Sequence, residues 1–459
     1  MSTSSPLSVS PQSALDLAVG LESGSDRTTS RRGLLAIAGL LAIGATIAVA
    51  AAHTATLLPQ SVSFVPSGLA GAFNGVYLNL HPAGAIAALA LFFVAYVVVV
   101  SLSAQLSPRV VLMAVATLNL LVLLAPPLVS TDIFSYQAYA RMGALYGFNP
   151  YTNGPHAIFL DPVFQYIGSK WSYIPTAYGP IFTVFSYVLA PLSVAASVFA
   201  YKSIAAVSSI ALVALVWHCA RLRGKDPVRA AALVGLNPLL VIYGVGGGHN
   251  DLLMLVAFVG GLYAILSSRE RMGGGLAVLA AGIKLTAGII LPFALAAGGP
   301  RRGRGRRDLM IGAAIALAMV TILSLAVFGA HSVDMLKTIN RSQSEGDWQT
   351  LPGFISIGLG LWTIAHIVGY TLAAIFLVIT WRLLLRVWRG QMDWIDGAGW
   401  ATLTMLVASS SLLPWYVGWL LPLAAIGHDR RLTRWALIMT GVVQGFQLVG
   451  YIPHATSLL

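Results

Sequence analysis

The sequence predicts an all-α polytopic membrane protein, and three observations predict it. Apolar residues make up 57% of the 459-residue chain and charged residues 9%, with a mean hydropathy of +0.81. A soluble domain carries about 25% charged residues, so no soluble fold of this length could hide so much apolar surface. The apolar residues fall into runs long enough for helices in lipid, where a helix satisfies its own backbone polar groups. The basic residues gather between alternate runs, as orientation across a membrane requires. The net charge of +12 does not point to nucleic acid, because the basic residues do not cluster on a soluble face. Cys219 is the one cysteine, which excludes an internal disulfide and argues against a metal–thiolate site.

Residues 1–32 are rich in Ser, Thr and Pro and are expected to form a disordered cytoplasmic tail. The run starting at Gly33 resembles a signal peptide in its small residues, but so long a leader favours a first transmembrane helix. Apolar runs near 33–56, 83–104, 109–127, 181–219, 229–246, 252–268, 273–284, 286–299, 308–330, 363–386, 396–413, 415–427 and 433–450 give about 13 transmembrane helices in one integral-membrane domain, residues 33–459. Run 181–219 is too long for one helix and contains Lys202, so a half-inserted segment followed by one full helix is expected there.

Alternating sides from a cytoplasmic N-terminus places 21 of the 27 Lys and Arg residues in inner segments, with "RRGRGRR" (301–307) as the firmest anchor. The outer face then receives a long loop (128–180), expected to carry short interfacial helices. It also receives the turn at 246–251, the turn at Lys284, a loop at 331–360 and the turn "SLLPWYVGW" (411–419). Asp132, Asp251 and Lys284 all fall on that face.

Five stretches there could carry chemistry. In "LVSTDIFSYQAYARMGALYGFNPY" (128–151), Asp132, Tyr136 and Tyr139 share one face of a short helix, with Arg141 following. Asp132 caps that helix or serves as a catalytic carboxylate. Asn149, Tyr151 and Tyr178 in the same loop are residue types that bind sugars. In "WSYIPTAYGPIF" (171–182) the aromatics form a membrane belt or stack on a sugar ring. "GVGGGHNDLLM" (244–254) sets four glycines, His249, Asn250 and Asp251 between apolar runs. It is a polar turn capped by Asp251, or a turn whose glycines let a substrate approach the backbone. No third ligand lies near His249 in the sequence, so a divalent metal is possible but not indicated, and no cofactor is expected. In "AAGIKLTAGIILPF" (280–293), Lys284 snorkels to the interface or awaits a phosphate. In "SSSLLPWYVGWLLPL" (409–423), Trp415 and Tyr416 belong to an aromatic belt or wall a lipid or sugar.

Taken in order, Asp132 with Tyr136, "NPY" (149–151), "YGP" (178–180), "NPLL" (237–240), "GGGHND" (246–251), "GIK" (282–284) and "PWY" (414–416) resemble the polyprenol-phosphate-mannose-dependent mannosyltransferases of actinobacteria. The likeness is to the α-1,6-mannosyltransferases of lipomannan synthesis in the cell envelope, within the GT-C class of membrane glycosyltransferases, and it spans about residues 110–425. It implies a GT-C-like fold, a polyprenyl-phosphate-sugar donor, a glycan or glycolipid acceptor, and an early outer-loop acid as base, here Asp132. A polyprenyl phosphate leaves without protonation, so one carboxylate suffices and a single displacement inverts the anomeric centre. Lys284, with His249 and Arg141, is the expected contact to the donor phosphate. Tyr136, Tyr139, Asn149, Tyr151, Tyr178, Asn250, Asp251, Trp415 and Tyr416 are the expected substrate contacts, with Asp251 as the second candidate base. The alternatives are a GT-C transferase of lipid-linked arabinose or glucose, a polytopic transporter or lipid flippase, and a non-catalytic assembly subunit.

Overall fold

A computed structural model describes residues 28–62, 66–297 and 302–451. The expected tail therefore lies outside the described residues as far as residue 27, as does Arg301 of the basic anchor. Among the described residues every regular element is helical.

The chain opens with α1 (Arg31–Ala50), α2 (His81–Ser101) and α3 (Pro108–Leu124), of which α1 packs on both of the others. Ser30 starts α1 by accepting the Gly33 amide at 3.1 Å, and Pro108 starts α3, where a missing amide costs nothing. Then come the short α4 (Asp132–Ala144), α5 (Pro180–Tyr187) and the long α6 (Val194–Leu222). The break between α5 and α6 has the form expected of run 181–219, a half-length helix followed by a full one. Next, α7 (Pro227–Gly235) meets a π-helical turn, Leu239–Val245, at a 50° bend. The bend sits at Asn237–Pro238, since proline forbids a continuous helix. Asn237 repairs it: its side-chain oxygen accepts the Leu239 amide (3.0 Å), and its NH₂ donates to Tyr96 (3.2 Å) and Thr440 (3.1 Å).

The chain continues through α8 (Asp251–Leu266), α9 (Glu270–Ile283), a 3₁₀ turn (Leu285–Ile289), α10 (Ile290–Ala297), α11 (Arg302–Phe328) and α12 (Met335–Glu345). α9 and α11 pack backbone to backbone: a Cβ on Gly274 would stand 2.1 Å from the Leu309 carbonyl. Such contacts between small residues are how helices associate in lipid. The last elements are α13 (Trp362–Trp388), α14 (Trp394–Ala408), the turn Pro414–Trp419, α15 (Leu421–Ile426) and α16 (Arg430–Gly450).

Among the described residues, five helices are long and apolar enough to cross a membrane: Arg31–His53, His81–Ser101, Val194–Leu222, Gly303–Ser344 and Trp362–Trp388. Counting the bent pair as one span makes six. A helix occupies each of the 13 apolar runs, yet several are too short to span alone, so length and hydropathy do not reach 13 crossings. The expected loop at 331–360 is instead largely helical, because α12 continues from α11. Only 6% of the apolar window of α13 is buried, so this helix presents nearly its whole surface outward. Two basic residues at helix ends are paired: Arg223 with Asp393 at 2.9 Å and Arg271 with Asp308 at 2.9 Å.

Candidate active site

A cavity of about 370 Å³ opens where the 128–180 loop, the Leu285–Ile289 turn, α12, α13 and α14 meet. Asp132, Tyr139, Trp171, Tyr178, Lys284 and Tyr416 line one side. Arg341, Ser342, Gln343, Asp347, Ser409 and Ser411 line another, while Ile339, Ala373, Phe376, Met405 and Leu406 give it an apolar wall. The lining thus combines polar and charged side chains with hydrocarbon ones.

Asp132 is the first residue of α4, and its side chain is 19% exposed. Tyr178 donates to Oδ2 at 3.1 Å, and His249 Nδ1 lies 3.7 Å from the same oxygen. Oδ1 has no hydrogen-bond partner among the described residues, so Asp132 keeps one oxygen for a ligand. Its pKa is raised to about 6. Burial is the largest cause, opposed by Lys284 and the Tyr178 bond and reinforced by Asp251. A carboxyl held there is basic enough to take a proton near neutral pH and still ionised enough to do so.

Lys284 reaches the cavity from the far end of α9 with its side chain 13% exposed. Its ammonium donates to both oxygens of Asp251 at 2.9 Å. It also lies 4.6 Å from the centre of the Tyr416 ring and 5.3 Å from that of Trp419. Trp419 Nε1 donates to Asp251 Oδ1 at 2.7 Å. The lysine is therefore clamped between a carboxylate and two rings rather than snorkelling freely.

This corrects the reading of Asp251. It is 0% exposed and absent from the cavity lining, and it stands as the buried counterion of Lys284 rather than beside Asp132 in the cavity. The glycines around it are likewise not room for a ligand. A Cβ on Gly246 would stand 2.2 Å from the Ile242 carbonyl, and one on Gly247 would meet the Tyr243 carbonyl at 2.4 Å and the His249 ring at 2.9 Å. Gly248 has φ +66, and a Cβ there would strike Ile133 at 2.6 Å. The glycines let the turn pack against α4.

Other expected contacts are also packed behind the cavity. His249 is 1% exposed, stacks on Trp415 with ring centres 3.5 Å apart and lies 3.3 Å from the Tyr136 hydroxyl. Burial, then Lys284, holds its imidazole well below the usual pKa, so it is neutral and poorly suited to hold a phosphate. Tyr136 donates to Asn250 Oδ1 at 3.3 Å, and both are buried. Trp415 is 5% exposed and supports His249.

Arg141 is absent from the cavity lining. It pairs with buried Asp161 at 2.9 Å and donates to the Leu192 carbonyl, which ties α4 to the loop beyond it. Asn149 donates to the Phe328 carbonyl at 3.0 Å, and Tyr151 donates to the Tyr178 carbonyl at 2.9 Å, so these two brace the loop. Of the expected site residues, Asp132, Tyr139, Tyr178, Lys284 and Tyr416 share the cavity. Sequence reasoning missed Gln343, Asp347, Ser409 and Ser411. The signal for them was present as the polar run "INRSQSEGD" (339–347), read only as part of an outer loop, and as the triple serine at 409–411, quoted within the fifth stretch but given no role. Among the described residues, no group of three or more His, Cys, Asp or Glu side chains could hold a metal ion.

Comparison with known proteins adds two family matches. Residues 36–298, more than half of the chain, match the family model "Alpha-(1->6)-mannopyranosyltransferase, N-terminal domain", and residues 352–450 match "MptB C-terminal domain". The chain is 28% identical over 361 residues, 69% of its length, to alpha-(1->6)-mannopyranosyltransferase A of Mycobacterium tuberculosis. It is 27% identical over 348 residues, 66% of its length, to alpha-(1->6)-mannopyranosyltransferase B of Corynebacterium glutamicum. It covers 67% of the first of these relatives and 56% of the second. No solved structure matches.

Proposed function

The chain belongs to the alpha-(1->6)-mannopyranosyltransferase family, and we propose that it is a membrane mannosyltransferase that moves mannose from a polyprenyl-phosphate donor to a cell-envelope glycan or glycolipid. One observation carries the reading: Asp132 and Lys284 open into one cavity that apolar side chains such as Phe376, Met405 and Leu406 also line. That arrangement suits a ligand with a sugar phosphate at one end and hydrocarbon at the other.

The mannose would sit against Asp132, Tyr139 and Tyr178, and its phosphate against Lys284, with the prenyl chain running along Phe376 and Leu406 toward the bilayer. The acceptor hydroxyl attacks the anomeric carbon as the bond from that carbon to the phosphate oxygen breaks. Its proton passes to Asp132 Oδ1, the oxygen that Tyr178 leaves open. The departing phosphate gains charge beside the clamped ammonium, which needs no reorganisation to receive it. The attacking and leaving groups occupy opposite faces of the sugar, so the configuration inverts. We place this site on the extracytoplasmic face, in a GT-C-like arrangement of about 13 crossings, from the distribution of Lys and Arg.

The test is transfer by the purified protein from mannosyl phosphoryl polyprenol to a synthetic α-mannoside. Transfer by the wild type is expected. Its absence, or equal transfer of arabinose or glucose from the matching donors, contradicts the reading.

A further inference from the structure

We infer that Lys202 and the strained turn at Val129 together aim the Asp132 carboxylate, as positioning residues for the transfer reaction; the inference rests on the mannosyltransferase reading above. Lys202 lies in α6 and is 1% exposed. A lysine buried among apolar helices is costly unless it is used. Among the described residues it meets no carboxylate. Its ammonium donates instead to the carbonyls of Ala125 and Pro126. These follow the last residue of α3, where a helix leaves carbonyls without partners. Lys202 thus fixes the point at which the chain leaves α3 for Asp132.

The next residues are held from several sides. The Leu128 amide donates to the Gly246 carbonyl at 3.0 Å, and the Val129 amide to the Leu57 carbonyl at 3.0 Å. Val129 has φ +52, a region that a β-branched residue almost never occupies. The Ser130 amide closes on the Leu128 carbonyl across it, which makes a tight three-residue turn of the strained kind. The Ser130 hydroxyl then accepts the Asp132 amide at 3.2 Å. Strain of this sort persists only where the surroundings over-determine it, and it gathers at functional sites. The stem of Lys202 also lies behind the turn that carries His249: a Cβ on Gly248 would be 3.5 Å from Lys202 Cγ. One buried side chain thus backs both segments that converge on Asp132 Oδ2. The outcome of this bracing is the 3.1 Å Tyr178 bond to Oδ2, which leaves Oδ1 without a partner among the described residues of a side chain that lines the cavity.

The experiment uses the full chain in lipid nanodiscs, with mannosyl phosphoryl polyprenol as donor. Val129→Gly removes the strain without adding a side chain, because glycine adopts positive φ freely. Its unfolding midpoint is expected at or above that of the wild type, while kcat falls by about 10- to 100-fold because the carboxylate is no longer held in one position. Donor KM is expected to move by less than about threefold, and the acid limb of the pH profile is expected to shift. Lys202→Met is expected to lower kcat in the same way, and Lys202→Arg, which can still donate to both carbonyls, to restore most of it. Wild-type kcat and an unchanged acid limb in Val129→Gly would overturn the inference, even if Lys202→Met fails to fold. Equal kcat in Lys202→Met and Lys202→Arg would also overturn it. A wild type that transfers no mannose counts against the mannosyltransferase reading instead.

Discussion

Neutralising Asp251 should unsettle the protein through Lys284. The two side chains are 1% and 13% exposed, and both carboxylate oxygens lie 2.9 Å from the ammonium. Breaking a buried pair from one side costs about 3–5 kcal/mol, chiefly for the charge left behind. Asp251→Asn strands the ammonium, but water reaches part of it and two rings face it, so the low end, about 3 kcal/mol, is expected. Lys284→Met strands a carboxylate that keeps only its bond from Trp419, so the high end, about 5 kcal/mol, is expected. The double variant strands neither charge. Its loss should fall short of the sum by at least about 2 kcal/mol. Unfolding midpoints of the four proteins in one detergent close the cycle, and transfer assays run beside them. The double variant should recover stability but not donor use, since it still lacks the cation. Additive losses would refute the buried clamp, and restored donor use would refute the role given to Lys284.

Other outcomes follow from the same geometry. Because Asp132 works as a base only when ionised, kcat/KM should be constant above its pKa and fall tenfold per unit as pH drops below about 6, which a pH–rate profile checks. Tyr178→Phe removes a bond that favours the charged carboxylate, so the acid limb should move up by about one pH unit. Asp161→Asn leaves Arg141 buried without its carboxylate, which should cost about 3–5 kcal/mol of stability while donor KM stays unchanged. A changed donor KM there would return Arg141 to the site.

The class of fold was legible because lipid imposes a severe rule: apolar runs of this length become helices. The number of crossings was less so, since short helices such as α9 and α15 pack inside the bundle and their composition does not say whether they span. Asp132 and Lys284 could be nominated from sequence because each is a charge beside an apolar run, Tyr139 because helical spacing puts it on the face of Asp132, and Tyr178 because it is a sugar-binding residue type in the same outer loop. Their neighbours were misread for a physical reason. Polarity in a sequence shows that a partner is needed, not which partner. Asp251 looked like a second base until its ammonium, 33 positions on, was seen to hold it. Arg141 looked free for a phosphate until Asp161 was found against it. The glycines of "GGGHND" looked like space, whereas the carbonyls and rings that fill it come from the preceding helical turn and from His249 itself.

The role of Asp132 is the centre of the account, and Asp132→Asn tests it most directly. The substitution keeps the shape of the side chain and the start of α4, so the purified variant should insert and unfold like the wild type. Its transfer from mannosyl phosphoryl polyprenol should drop by about 10²–10⁴-fold at saturating donor. Turnover close to that of the wild type would contradict the account.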